Sequence, residues 1–123
     1  RLVSKSNNNY DRLRDMLEFC QVYKCYVALK GNNTAIGTPE GKLYFNTTGN
    51  PGMATGGTGD VLTGIITALV AQNYSLEEAC LLGVYVHGLA GDLALKDVGD
   101  IAMTASDLIN HLPQAFLHLQ QLS

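Results

Sequence analysis

Asp60 closes the glycine-rich run Gly49-Asn-Pro-Gly-Met-Ala-Thr-Gly-Gly-Thr-Gly-Asp60, and an apolar stretch of helical length, Val61 to Gln72, follows without a break. Five glycines among those twelve residues leave backbone N–H groups that no side chain shields. The helix behind them adds partial positive charge at its start. Loop and helix together have the makings of an anion site, with the amides of Gly56, Gly57, Thr58 and Gly59 around a phosphate. A carboxylate at Asp60 would repel that phosphate. A first-turn acid is a common helix feature, but placed behind this loop Asp60 reads better as a general base. It would accept the proton of a hydroxyl that attacks the phosphoryl group held by the amides.

Spacing excludes two familiar phosphate loops. No lysine follows a glycine in the Walker A pattern, and a dinucleotide fingerprint counted from Gly57 and Gly59 needs glycine where Leu62 stands.

The remaining composition narrows the function classes. The 123 residues carry a net charge of -3 and are 46% hydrophobic, as expected of an acidic globular domain. The eight Lys and Arg residues are scattered, which argues against a nucleic-acid partner. Gly, Thr and Gln interrupt the longest apolar run, so neither a membrane span nor a signal peptide is expected. A cytoplasmic location follows as the expectation. Cys20, Cys25 and Cys80 form no C-x-x-C pair and read as small core hydrophobes. His87, His111 and His118 have no companions at metal-ligand spacing and read as structural.

The elements that must position the loop can be taken in order. Apolar Leu13, Met16, Leu17 and Cys20 predict a surface helix from Tyr10 to about Tyr23, with Arg12, Arg14, Asp15 and Glu18 outward. Tyr26 to Leu29 reads as a short strand, ending at Lys30 and Gly31, where a lysine in an open sheet would meet a ligand. Residues 34–38 and 42–46 flank Pro39-Glu-Gly41 and predict a β-hairpin that delivers the chain into the loop. The helix behind Asp60 is expected to be buried. Ser75 and Glu78 are spaced as a capping box for a further helix running to about Lys96. Gly83, Gly88 and Gly91 within it cost about 1 kcal/mol each in propensity, which suits close approach of another backbone. A last helix begins near Thr104 to Asp107, and Pro113 is expected to end or restart it.

Lys30-Gly-Asn-Asn-Thr34, Asn50-Pro-Gly-Met-Ala-Thr-Gly-Gly-Thr-Gly-Asp60, Gly83-Val-Tyr-Val-His-Gly-Leu-Ala-Gly-Asp92 and Ala105-Ser-Asp-Leu-Ile109 together closely resemble the ADP/ATP-dependent NAD(P)H-hydrate dehydratases of the ribokinase-like superfamily. The resemblance implies an α/β, ribokinase-like fold: a mostly parallel sheet covered by helices, of which residues 1–123 are the C-terminal portion of a single domain. The front of that domain is absent, so sheet edge and apolar helix face should lie open. The resemblance also implies the activity. A hydroxyl on hydrated NADH or NADPH is phosphorylated from ADP or ATP, and loss of phosphate restores the ring's double bond. Asp60 would be the catalytic base and touch the substrate. Lys30, Gly31, Asn32, Asn33 and Thr34, with Asn50, Pro51, Gly52, Met53, Ala54, Thr55, Gly56, Gly57, Thr58 and Gly59, would bind the nucleotide. Mg²⁺ is expected with the nucleotide, although no carboxylate cage for it stands out. The partners implied are small molecules and further copies of the chain in a homo-oligomer. Two rivals remain: a ribokinase-like kinase for a sugar, a thiazole alcohol or a pyridoxal-type vitamin, and a nucleotide-binding assembly fragment without turnover.

Overall fold

The structure is a computed structural model that describes residues 9–30 and 33–121. The element order is α1 (Asn9–Tyr23), β1 (Val27–Leu29), β2 (Thr34–Gly37), β3 (Leu43–Asn46), a 3₁₀ turn at Pro51–Met53, then α2 (Thr58–Ala71), α3 (Leu76–Val98) and α4 (Ala105–Gln121). The chain divides into two compact units, Arg1–Asn46 and Thr47–Ser123, which are described separately.

In the first unit α1 lies against a three-stranded sheet in the order β1-β2-β3. Met16, Cys20 and Ala35 are buried between them, with Leu13, Val27, Leu29 and Leu43 packed around. A Cβ on Gly37 would stand 3.1 Å from both Cys20 Sγ and Met16 Cε, so the small residue lets the helix settle on β2. Asp15, expected to point outward, is instead buried. Helix spacing explains why: Asp15 immediately precedes Met16 at the edge of the apolar stripe, and its side chain is not without a partner.

Both strand pairs are antiparallel, with Ala28 opposite Ile36 and Ile36 opposite Tyr44. The expected hairpin is therefore present. Its turn closes through Thr38 N–H to the Lys42 carbonyl at 3.0 Å, and Gly41 takes φ of 89°. The parallel sheet implied by the resemblance is corrected for the described residues. Four residues join β1 to β2 and five join β2 to β3, whereas a parallel crossover needs about a dozen.

In the second unit the three long helices share a core. Val86 and Ala90 of α3 meet Leu108 and Ala115 of α4, surrounded by Leu82, Leu89, Leu112 and Phe116. Ile65 and Leu69 of α2 pack with Ala79 of α3. Asn73, at φ 73°, ends α2 in the left-handed conformation, and Tyr74 N–H returns to the Leu69 carbonyl at 3.2 Å. The box at Ser75 and Glu78 forms in both directions, at 2.9 and 3.1 Å. Thr104 and Asp107 start α4 in the same style.

Four expectations are corrected here. The helix after the loop is buried only along Thr58, Leu62, Ile65 and Leu69, while Thr63, Thr67 and Val70 face outward. Pro113 neither ends nor restarts α4. It forgoes a hydrogen bond to the Ile109 carbonyl, but both residues are exposed. The stripe of Leu108, Leu112, Ala115 and Phe116 holds the helix on α3 from the other side. The helix expected to stop near Lys96 continues to Val98, where Gly99 ends it. Finally, α3 is long and apolar enough to cross a membrane by length and composition, although half of its apolar window is buried within the protein. Its glycines and alanines count as apolar and serve close packing instead: a Cβ on Gly83 would come within 2.7 Å of Ile66 Cγ1.

Candidate functional site

The loop is built onto one face of α3. Thr48 Oγ1 donates to the Tyr85 carbonyl at 2.9 Å. Gly88 lies so close beneath that an added Cβ would stand 2.7 Å from the Thr48 carbonyl carbon. One turn along, Gly91 makes room for the Met53 side chain, whose Cγ would be 2.7 Å from a Cβ there. The expectation that these glycines admit a neighbour thus holds at Gly88 for backbone and at Gly91 for a side chain. Gly52 is equally confined, with the Asp100 Cα 2.9 Å from a would-be Cβ.

Polar ties fix what the packing admits. Asn50 opens the 3₁₀ turn, and its Oδ1 accepts from Gly52 N–H at 3.0 Å. The Thr58 hydroxyl lies 2.9 Å from the Met53 carbonyl and 3.0 Å from the Thr55 carbonyl, so the first residue of α2 is bound back to the turn. His87 Nε2 donates to the Thr58 carbonyl at 2.9 Å from within α3. A carbonyl only accepts, so that nitrogen carries the proton. His87 is therefore a buried structural tether.

Gly57 is the N-cap of α2 at φ 90° and ψ -13°, with no side-chain cap. No side chain therefore caps the first helical N–H groups; that of Thr58 turns back to the Thr55 carbonyl at 3.4 Å. Gly56 has nothing within 4 Å of a would-be Cβ, and Gly56, Gly57, Gly59 and Asp60 are all exposed. Hydrophobic side chains do not fill this corner. Among the described residues nothing bonds the Asp60 carboxylate. Ala105, at the start of α4, borders the site, its Cβ lying 3.1 Å from a would-be Cβ on Gly57.

Asn50 through Asp60 are thus one continuous structure in the second unit. Lys30, exposed just after β1, Asn33, exposed in the turn, and Thr34, opening β2, belong to the first unit. Gly31 and Asn32 lie outside the described residues. Lys30 does not stand at the end of a parallel strand, where ligands of open sheets bind, because β1 is paired antiparallel. Among the described residues no cluster of three or more His, Cys, Asp or Glu could hold a metal. The three cysteines are free, and burial pushes the Cys20 and Cys80 thiols up, away from nucleophilic character. A separate cavity of about 670 Å³ runs between α2 and α4, lined by Ile65, Leu69, Leu112 and Phe116 among others. Its lining carries no charge, so an anion has no partner there. Ile109 and Leu117 are also exposed on α4, and this is the open apolar helix face anticipated above.

One supporting residue escaped the sequence reading. Asp92 of α3 accepts from Gly49 N–H at 3.0 Å and from Asn50 Nδ2 at 2.9 Å. Its signal was its place at the end of a motif segment, but a separation of 42 positions from Asn50 concealed the pairing.

A family model for NAD(P)H-hydrate dehydratase matches residues 1–114. The chain belongs to that family. A bifunctional NAD(P)H-hydrate repair enzyme of Thermofilum pendens is 46% identical over 98% of this chain, which covers 24% of that enzyme. An ADP-dependent (S)-NAD(P)H-hydrate dehydratase of Neisseria meningitidis is 38% identical over 72% of the chain, corresponding to 30% of its own length. The chain therefore spans about a quarter to a third of such relatives. Among solved structures, the ADP/ATP-dependent dehydratase of Bacillus subtilis, co-crystallised with ATP/Mg²⁺, superposes with a TM-score of 0.83 at 32% identity. That likeness covers 89% of this chain and 39% of that one. A ribokinase-like protein of Enterococcus faecalis matches at 0.68 and 34% identity, over 88% and 36% of the two chains. The fold is accordingly ribokinase-like α/β.

Proposed function

We propose that this chain carries the phosphate-holding and proton-accepting part of an ADP- or ATP-dependent NAD(P)H-hydrate dehydratase, as the C-terminal portion of a single ribokinase-like domain. The observation that carries the reading is the start of α2: a glycine N-cap at φ 90° with no side-chain cap, an open loop before it, and an exposed carboxylate at Asp60 behind it that nothing bonds among the described residues. In this reading the amides of Gly56 to Gly59 stabilise charge on the phosphoryl group in transfer. Asp60 takes the proton of the ring hydroxyl as its oxygen attacks phosphorus. The donor's phosphoanhydride bond breaks and the nucleotide leaves as ADP from ATP, or as AMP from ADP. The ring C–O bond then breaks with its electron pair going to the departing phosphate, and loss of a proton from the adjacent ring carbon forms the double bond. Nucleotide-binding roles are assigned to Lys30, Gly31, Asn32, Asn33 and Thr34 and to Asn50 through Gly59, with Lys30 meeting the phosphates.

Mg²⁺ would supply charge neutralisation when bound. The described residues offer no cage for it, so oxygens of the nucleotide phosphates are its natural ligands. A homo-oligomer in the cytoplasm completes the proposal, and light scattering reads the assembly directly.

The test is incubation with hydrated NADH, Mg²⁺ and either ADP or ATP while nicotinamide absorbance is followed. Recovery that disappears in Asp60→Asn supports the reading. No recovery, together with thermal stabilisation by ATP, identifies a nucleotide-binding fragment without turnover. Phosphorylation of an added sugar or vitamin would replace the dehydratase by a kinase.

A further inference from the structure

The Asn50 carboxamide has a fixed sense. Asp92 is a carboxylate, so it only accepts, and it faces two donors: Gly49 N–H at 3.0 Å and Asn50 Nδ2 at 2.9 Å. With its nitrogen turned to Asp92, the amide presents Oδ1 to Gly52 N–H at 3.0 Å. The relay continues through the 3₁₀ turn, because the Met53 carbonyl next to Gly52 receives the Thr58 hydroxyl at 2.9 Å. A charge on α3 is thereby converted, through a neutral amide, into the placement of the first residue of α2.

We propose that Asp92 is the positioning residue of the phosphate loop, and that it acts through the orientation of Asn50. The assignment rests on the phosphate-loop reading of residues 56–60 given above. Its physical content is a division of labour. Two loop donors need a strong acceptor, and a carboxylate supplies one more effectively than a neutral oxygen. If that carboxylate stood on the loop itself, it would add a negative charge to a segment meant to receive a phosphate. Set on α3 and read through Asn50, it orders the turn while the loop from Gly49 to Gly59 stays free of acidic side chains. Gly88 and Gly91 support the arrangement by letting Thr48 and Met53 lie flat on the same helix face.

Because donors and acceptors are matched in one sense only, exchanging the two side chains is decisive. Asp92→Asn sets an amide donor against the Asn50 amide donor, so one hydrogen bond of the relay must be lost. Asn50→Asp sets two carboxylates against each other. The double variant Asn50→Asp/Asp92→Asn restores every donor–acceptor match with one carboxylate in the pair, as in the native chain. Amide hydrogen exchange at Gly49 and Gly52 and calorimetric ATP affinity would be measured in all four proteins. Each single variant should speed exchange at both glycines by about tenfold or more and weaken ATP by about tenfold, the scale of one charged hydrogen bond. Exchange in the core of α4 should stay unchanged, and the double variant should recover protection at Gly49 and Gly52.

Unchanged exchange at the two glycines in both single variants overturns the proposal. So does a double variant no better protected than the singles. So does ATP affinity that ignores Asp92→Asn while the wild type binds. If a single variant fails to fold, the double decides: folded and protected supports the relay, unfolded overturns it. A wild-type chain that binds no ATP is a different failure, which removes the phosphate-loop reading and the ligand role of Asp92 with it.

Discussion

The starts of α2 and α3 are built in opposite ways within one compact unit. At α3, Ser75 Oγ accepts from Glu78 N–H and Glu78 Oε1 accepts from Ser75 N–H. These bonds hold the Glu78 carboxyl below its ordinary range, so its contribution is present above that range and fades as pH falls through it. At α2 the N-cap is Gly57, with no side chain to offer, and the bonds that hold the helix start come from behind, through the Thr58 hydroxyl and carbonyl. A capped start satisfies its own donors and serves stability. An uncapped start anchored from the rear, with Thr58 N–H returned to the Thr55 carbonyl, keeps its remaining first-turn donors for something else. The second design costs stability and makes sense where a ligand completes it.

The sharpest break of this comparison is Asp60→Asn. Turnover of hydrated NADH should fall about 10²- to 10⁴-fold, the usual worth of a positioned base, while calorimetric ATP affinity stays within about threefold. Retained turnover would return Asp60 to the status of an ordinary first-turn acid. Next in size is Gly57→Val. A β-branched residue at φ 90° that must also pass Ala105 should cost about 1–3 kcal/mol of strain and weaken ATP about tenfold or more. Unchanged affinity in that variant would detach the anion from the loop.

Ser75→Ala is the control on the other helix. Chemical denaturation should show a loss of about 1 kcal/mol with ATP affinity unchanged, and a parallel loss of affinity would erase the contrast. The smallest effect concerns the far end of α3. His111 Nε2 lies 2.6 Å from Asp97 Oδ2 and its Nδ1 2.7 Å from the Asp107 carbonyl. The hydrogen bond to Asp97, then that to Asp107, raises the His111 pKa above 6.5. A raised folded value means the stabilisation is complete below about pH 6.5 and is lost as pH rises through the folded pKa. Melting temperature should therefore fall slightly across that interval in the wild type and less in Asp97→Asn. Identical slopes would remove the pair from the stability of the α3–α4 junction.

Much of this was legible in residue order, for local reasons. The hairpin around Pro39-Glu-Gly41, the capping box at Ser75 and the open glycine loop ahead of Asp60 depend on neighbours a few residues apart. Strand direction was not legible from the resemblance, because short connections in this part of the chain enforce antiparallel pairing. Asp15 and Pro113 misled for a related reason. Each reads correctly by residue type, and each is overruled by an apolar stripe on the same helix that must reach its partner.

By itself the sequence determined which backbone groups lack a side-chain partner: a glycine at the N-cap offers no side-chain oxygen, whatever surrounds it. Only the tertiary structure decided what holds those groups in place. Thr48, Asn50, Met53 and Thr58 meet Tyr85, His87, Gly88, Gly91 and Asp92 across about two turns of α3. Hydrogen bonds between residues tens of positions apart leave no periodic trace in the chain, and they appear only when packing brings the two segments face to face.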